Sequence, residues 1–124
     1  MLALTPTTRV FLAAGATDMR KSFNSLAAIV TTTLAHDPIC GHLFAFCNRR
    51  RDRLKVMYWD GSGLWVCAKR LEKGTFAWPD AGTRCLELTR EELVMLVAGL
   101  DPSATRRRRW SRIAGDRGNA QHAY

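Results

Sequence analysis

The chain has 124 residues, a hydrophobic fraction of 47% and a formal net charge of +8, from 19 Lys and Arg against 11 Asp and Glu. This length fits one domain with a buried core, and the excess of positive charge favours polyanionic partners, above all nucleic acid. A membrane-spanning protein is excluded because no apolar run approaches the roughly 20 residues that a transmembrane helix needs.

The first third of the chain predicts a strand followed by a helix. Residues 8–12 alternate in the manner of a short strand and lead into a glycine-containing turn. Thr17 or Asp18 can cap the helix that follows, because apolar residues recur at helical spacing between positions 19 and 34. Pro38 ends this helix.

Three more strands are predicted in the middle of the chain. They cover residues 42–47, 53–59 and 64–71, and the last two are joined by the sequence DGSG at residues 60–63. A link that contains Asp-Gly between alternating runs is a hairpin signal, so the region predicts an antiparallel meander. Residues 75–78 can add a further strand at the edge of the sheet.

The second helix has the clearest local signature. Thr89 and Glu92 form a T-x-x-E capping box, and Leu88 and Leu93 are placed as a hydrophobic staple. The Asp-Pro pair at positions 101–102 stops the helix.

Together these elements predict a single α+β domain over residues 1–102. We expect an antiparallel β-meander of three to five strands with two helices packed on one face. Residues 103–124 are rich in arginine and poor in periodic apolar residues, which predicts a basic, disordered C-terminal tail.

The four cysteines form no CxxC pair, which is typical of reduced thiols in a cytoplasmic protein. A zinc site built from His36, Cys40, His42 and Cys47 is the alternative, but these spacings match no zinc-finger pattern. We therefore predict no metal and no cofactor.

A strongly cationic hairpin is the main functional candidate. Alternation sends Leu54, Val56 and Tyr58 to one face of its first strand, so that the other face carries cations and an aromatic ring. Arginine can bind phosphate oxygens bidentately and tryptophan can stack on bases. The candidate nucleic-acid-binding residues here are Arg49, Arg50, Arg51, Arg53, Lys55, Trp59, Lys69, Arg70 and Lys73. The alternative is a solvated outer sheet face kept soluble by charge.

Two further basic groups extend this prediction. Arg20 and Lys21 fall in the first turn of the first predicted helix, where free N–H groups suit an incoming phosphate; alternatively, Asp18 or another acid offsets their charge. In the tail, Arg106, Arg107, Arg108 and Arg109 can hold polyanions without sequence preference, or form a merely solvated run.

Enzyme chemistry finds little support in the sequence. The acidic residues are dispersed, whereas metal-dependent nucleases need several carboxylates that converge on two cations. No phosphate-binding loop or nucleophile-elbow motif is present. We therefore expect a protein that is not an enzyme.

Four segments resemble a known family. They are TRVFLAAGATDMRKSFNSLA, GHLFAFCNRRRDRLKVMYWDGSGLW, KRLEKGTFAWP and LTREELVMLVAGLD, and they run in order from about residue 8 to residue 101. They are similar to TnpB accessory proteins, the second open reading frame of the insertion sequence 66 transposon family. Arg51 stands where that family commonly has glycine, which puts the geometry of its loop in question.

The resemblance implies a bacterial accessory protein that acts in transposition beside a separate transposase, which carries the catalytic acids. No catalytic residue is implied for this chain. Together with the positive net charge, the resemblance leads us to expect a protein that binds DNA, with the ends of the transposon as its DNA target. The alternative is a module that binds the transposase without touching DNA and uses Trp59 or Trp65 as its anchor.

Overall fold

The computed structural model describes residues 7–80, 82 and 85–101, and for Cys85 it describes the backbone alone. In chain order the elements are β1 (Val10–Ala13), α1 (Phe23–Thr32), β2 (Leu43–Cys47), β3 (Arg53–Trp59), β4 (Leu64–Arg70), β5 (Cys85–Leu88) and α2 (Arg90–Val97). The predicted tail and the predicted domain boundary at residue 102 lie outside the described residues.

The strands form one sheet in the order β4-β3-β2-β1-β5. The predicted antiparallel meander is present as β2, β3 and β4. β1 and β2 pair in parallel, with α1 as the crossover between them, and β5 pairs antiparallel with the other side of β1. The predicted α+β class, with a mostly antiparallel sheet and two helices, is confirmed, while the parallel pair and β5 are features that the sequence analysis did not predict.

The two helices lie on opposite faces of the sheet, so the prediction that both pack on one face is wrong. Val10 lies in a core with Leu96 of α2, whereas its neighbour Phe11 lies in a second core with Leu26 of α1. Successive side chains of a strand point to opposite faces. Because every residue of β1 and β2 is buried, both faces of these central strands need an apolar cover.

Helix α1 begins later than predicted. The side chain of Asp18 accepts a hydrogen bond from the backbone N–H of Arg20 at 2.9 Å, and the carbonyl of Asp18 accepts one from the N–H of Lys21 at 3.1 Å. This local turn competes with helical hydrogen bonding, so the helix starts only after the N-cap residue Ser22. Arg20 and Lys21 therefore lie in the loop before α1 and not in its first turn.

The segment at residues 75–78 is not a strand in the structure. Its side chains do alternate, because Phe76 and Trp78 are both buried in the core on the α2 face. Its hydrogen bonds go to separate partners: the Phe76 N–H donates to the Arg51 carbonyl at 2.6 Å, and Trp78 Nε1 donates to the Ala13 carbonyl at 2.9 Å. The segment therefore crosses the end of the sheet as an anchored loop.

Helix α2 has the predicted capping box. The Thr89 hydroxyl accepts from the N–H of Glu92 at 3.1 Å, and the Glu92 carboxylate accepts from the N–H of Thr89 at 2.8 Å. Leu88 and Leu93 both belong to the core on this face, as the staple predicts. Among the described residues, neither helix has the length and apolar character needed to cross a bilayer.

Candidate nucleic-acid interface

An open cavity of about 490 Å³ lies where the beginning of β3 meets the end of β4. Four cationic residues, Arg53, Lys55, Lys69 and Arg70, contribute to its lining. Ala68 and Met19 provide apolar wall, and Glu72 adds one carboxylate. The structure thus brings together four of the candidate residues in one concave surface, which we call the basic cavity.

The strand register puts like charges directly opposite each other in the basic cavity. Arg53 is the cross-strand partner of Arg70, and Lys55 is the partner of Ala68. Like charges at directly opposed positions destabilise a sheet. Glu72 offsets part of this repulsion, because its Oε2 accepts from Nη2 and Nε of Arg70 at 3.2 and 3.3 Å.

The two lysines of the basic cavity have structural partners. Lys55 Nζ donates to the carbonyl of Lys21 at 2.8 Å and so ties the loop before α1 to β3. Lys69 Nζ donates to the carbonyl of Val97 at 2.7 Å, at the negative end of the α2 dipole. Lys69 is next to Arg70 in β4, so the two side chains point to opposite faces of the sheet, that of Lys69 to the α2 face. The cavity reaches Lys69 at the edge of the sheet.

The loop between β2 and β3 is organised by Asn48. Its Oδ1 accepts from the backbone N–H groups of Asp52 and Arg53, both at 3.0 Å, and its Nδ2 donates to Asp52 Oδ1 at 2.8 Å. This hydrogen bond lowers the pKa of Asp52. Asn48 therefore has a structural role, and the loop that it braces holds Arg49 and Arg50 in solvent.

The candidate arginines divide into paired and unpaired groups. Ion pairs join Arg20 to Asp18 and Arg51 to Asp80, each at 2.8 Å. The Arg20 guanidinium, itself 91% exposed, holds the pKa of Asp18 at about 2. For Arg20 the structure therefore agrees with the alternative interpretation, in which Asp18 offsets the positive charge.

By contrast, three exposed arginines of the β2–β3 loop and the start of β3 have no hydrogen bond or ion pair from their side chains within the described part of the chain. They are Arg49, Arg50 and Arg53.

Six other candidate residues either do not line the basic cavity or lie outside the described residues. Trp59 is half-buried at the opposite end of β3, and Lys73 is exposed in the loop after β4. Residues 106–109 lie outside the described residues. Trp59 and Trp65 point to opposite faces, because Trp65 pairs with Tyr58 rather than with Trp59. The structure therefore provides no patch that contains both rings.

The turn between β3 and β4 is built around Asp60. Its carboxylate accepts from the N–H groups of Ser62 and Gly63 at 2.9 and 3.0 Å, and from Trp65 Nε1 at 2.7 Å. The backbone hydrogen bond from Ser62 is the largest of the causes that hold the pKa of Asp60 at about 2. Asp60 therefore shapes the hairpin and fixes the Trp65 ring.

A sequence model of the family described as IS66 Orf2 like protein, TnpB_IS66, matches residues 8–107. The chain belongs to this family. The resemblance found in the sequence is confirmed, and membership of the IS66 Orf2-like family implies an accessory role in transposition.

Two relatives of this IS66 Orf2-like chain come from Sinorhizobium fredii (strain NBRC 101917 / NGR234). "Uncharacterized protein y4jC" is 41% identical over 100 residues, which make up 81% of this chain and 86% of the relative. "Uncharacterized protein y4hO" is 41% identical over 93 residues, or 75% of this chain and 81% of the relative. No solved structure matches the chain.

The histidines and cysteines of this IS66 Orf2-like protein do not assemble a metal site in the described residues, where no group of three His, Cys, Asp or Glu side chains has suitable geometry. His36 packs on the Phe11 ring at 4.1 Å between centroids, and burial lowers its pKa. His42 Nδ1 accepts from the Arg9 N–H at 3.0 Å. Burial raises the pKa of the Cys47 thiol to about 11, which keeps it protonated.

Arg51 adopts a backbone conformation that glycine would favour. Its φ is +62°, in the left-handed region, which costs a non-glycine residue about 1–2 kcal/mol. Its loop keeps the geometry nonetheless, since the Arg51 N–H donates to the Asn48 carbonyl at 3.1 Å and its own carbonyl accepts from Phe76.

We predict that Arg51→Gly leaves the free energy of unfolding unchanged or raises it by up to about 1 kcal/mol. Relief of the left-handed strain outweighs the added freedom of the unfolded chain and the loss of one exposed ion pair. Arg50→Gly is the matched control: it removes a neighbouring arginine that does not have a positive φ, and should lower stability by about 0.5–1 kcal/mol. Urea denaturation measures the free energy of unfolding of both variants. A larger loss of stability for Arg51→Gly than for Arg50→Gly would contradict the assignment of left-handed strain to Arg51.

Proposed function

We propose that this protein is a non-catalytic, cytoplasmic accessory factor of transposition that binds DNA through the basic cavity and the adjoining β2–β3 loop. Its partners in this proposal are the ends of its element and the separate transposase of that element. The family supports the accessory role, and the arrangement of cations supports DNA as the ligand.

The cross-strand pair Arg53 and Arg70 carries the proposal. An arrangement that weakens the isolated fold becomes favourable when an anion lies between the two guanidinium groups. A phosphate is such an anion, and arginine can offer it two parallel N–H groups. The apolar wall at Ala68 leaves room for a phosphate oxygen to approach the sheet without displacing a large side chain.

The unpaired arginines make the first phosphate contacts in this proposal. Arg49, Arg50 and Arg53 lie within five residues of the chain and need to break no ion pair before they bind. Arg70 would exchange its exposed partner Glu72 for a phosphate, at small cost because such surface pairs contribute little. Contacts of this kind position a protein on the DNA backbone and do not read base sequence.

A non-catalytic role agrees with the use that the fold makes of its acids. Asp18 and Glu87 pair with arginines, while Asp52 and Asp60 accept hydrogen bonds that shape loops. Glu92 closes the capping box of α2. These carboxylates serve separate local structures, whereas metal-assisted strand cleavage needs several on one site.

We predict that Arg53→Glu weakens binding to duplex DNA and reduces its salt dependence. Loss of one phosphate contact lowers the magnitude of the slope of log K against log salt by about 0.9, or roughly eightfold in affinity at about 0.1 M salt. Replacing Arg49, Arg50 and Arg53 together by alanine should lower the slope by about 2.7. The measurement is fluorescence anisotropy of the full chain with the terminal duplex of the element and with a scrambled duplex.

Arg90→Glu is the matched control, because it makes the same charge change at the start of α2, next to the opposite edge of the sheet. Each variant is also measured with Arg106 to Arg109 replaced by alanine, which removes the contribution of the basic run. Equal losses from Arg53→Glu and Arg90→Glu would contradict a defined site and indicate an effect of net charge alone.

The second candidate is a module that binds the transposase without contacting DNA. It is favoured by the Trp65 side chain, which is 47% exposed and held in place by Asp60. Rigid, exposed tryptophan is a common anchor of protein interfaces. In that case Trp65→Ala reduces capture of the purified transposase with little dependence on salt, while Arg53→Glu leaves the capture intact.

A further inference from the structure

Strand β4 is an open edge of the sheet. It has seven residues, Leu64 to Arg70, all of them in register with β3. No strand of the described residues pairs with its other side, since β4 ends the sheet order. The opposite edge, β5, has only four residues. A long edge strand with unpaired backbone groups is a template for another strand.

The register identifies the backbone groups that face outward. At the hairpin turn the Asp60 N–H donates to the Gly63 carbonyl at 3.1 Å, and at the far end the Leu71 N–H donates to the Asp52 carbonyl at 2.8 Å. Residue pairs in an antiparallel ladder alternate between hydrogen-bonded and non-hydrogen-bonded. Because the pairs at both ends are hydrogen-bonded, every second residue of β4 between them, that is Trp65, Cys67 and Lys69, also hydrogen-bonds to β3 through its backbone.

The remaining positions of β4 direct their backbone away from β3. They are Leu64, Val66, Ala68 and Arg70. Each offers one N–H donor and one C=O acceptor at the open edge.

We propose that β4 pairs antiparallel with β4 of a second copy of this chain, about a two-fold axis at Cys67. In this register Leu64 is opposite Arg70 of the second copy, and Val66 is opposite Ala68 of the second copy. All four outward residues of each copy then form bonded pairs, and the two sheets become one. A shift by one residue would put an outward position opposite an inward one and lose this ladder.

The side chains fit this register. On the α2 face, Trp65 comes opposite Lys69 of the second copy, where the ring can cover the aliphatic part of the lysine and attract its charge. On the α1 face, half-buried Val66 meets exposed Ala68, so that two small apolar side chains lose contact with water.

The distribution of charge along β4 favours the antiparallel orientation for a second copy, because it keeps like charges apart. The cations of β4 lie at one end, at Lys69 and Arg70, and the other five positions are uncharged. The antiparallel register sets each cationic end against the uncharged end of the other copy. The two Arg70 positions are then about 20 Å apart along the strands, beyond the Debye length of about 8 Å at physiological salt.

The dimer would also place two basic cavities on one face of a continuous sheet, because both copies contribute their α1 face to the same side. The pairing itself does not rest on the proposed DNA binding, as it uses backbone groups of β4, whereas the proposed phosphate contacts use arginine side chains.

The test is the mass of the full chain in solution, freed of nucleic acid, from about 1 μM to about 1 mM. We expect the mass to rise with concentration towards twice the 13.9 kDa of one chain. Ala68→Pro should keep the protein monomeric, because it removes an outward N–H while leaving the ladder with β3 intact. Ala68→Thr keeps the N–H and is the matched control, which should still dimerise. A monomer throughout the range would overturn the proposal, as would a dimer formed by folded Ala68→Pro protein.

Cross-linking tests the register with β4 unaltered, apart from one control variant. The two Cys67 residues form a non-bonded pair with Cα atoms about 4.5 Å apart, a separation that a disulfide can span. In a Cys40→Ser, Cys85→Ser background, added diamide should oxidise the two Cys67 thiols to a disulfide and take up the two protons and two electrons. Cys67→Ser should abolish the cross-link and keep the dimer mass. A cross-link that survives Cys67→Ser, or a dimer that diamide leaves uncross-linked, would overturn this register.

Discussion

The burial of both faces of β1 and β2 is the constraint on which the rest of the structure depends. These central strands have no exposed position, so the chain must supply an apolar layer on each side. Helix α1 covers one face, while α2 and the loop with Phe76 and Trp78 cover the other. Charged side chains are thereby excluded from the middle of the sheet, and the cations gather at its β3–β4 end. The position of the basic cavity follows from the packing of the core.

The sequence predicts the parts of the fold that have local signals. The Asp-Gly turn defines the β3–β4 hairpin, and the capping box at Thr89 defines the start of α2. The parallel pairing of β1 with β2 has no local signal, because it depends on a crossover through α1. The uninterrupted apolar runs of β1, Val10 to Ala13, and β2, Leu43 to Cys47, indicate that both faces of these strands are buried, and they would have placed the helices on opposite sides.

The sequence predicts which cationic residues belong to the candidate site, but not how they are arranged in it. Counting charges finds the arginines of the β2–β3 loop and of β3, but it cannot distinguish a cation with an ion-pair partner from one without. That distinction depends on tertiary contacts such as the one between Arg51 and Asp80, which are 29 positions apart in the chain. The opposition of Arg53 and Arg70 likewise depends on strand register. Asn48 braces the loop because its amide faces the backbone of its own turn.

Chemical-shift mapping would test the central claim most directly. The full ¹⁵N-labelled chain is titrated with the terminal duplex of the element, and each backbone amide is followed. Binding in the basic cavity predicts the largest changes at Arg53, Ala68 and Arg70 and in the loop at Arg49 and Arg50, with small changes around Arg90. Changes confined to residues 103–124, or centred on α2 and β5, would contradict the claim that the folded domain holds DNA at the β3–β4 end of its sheet.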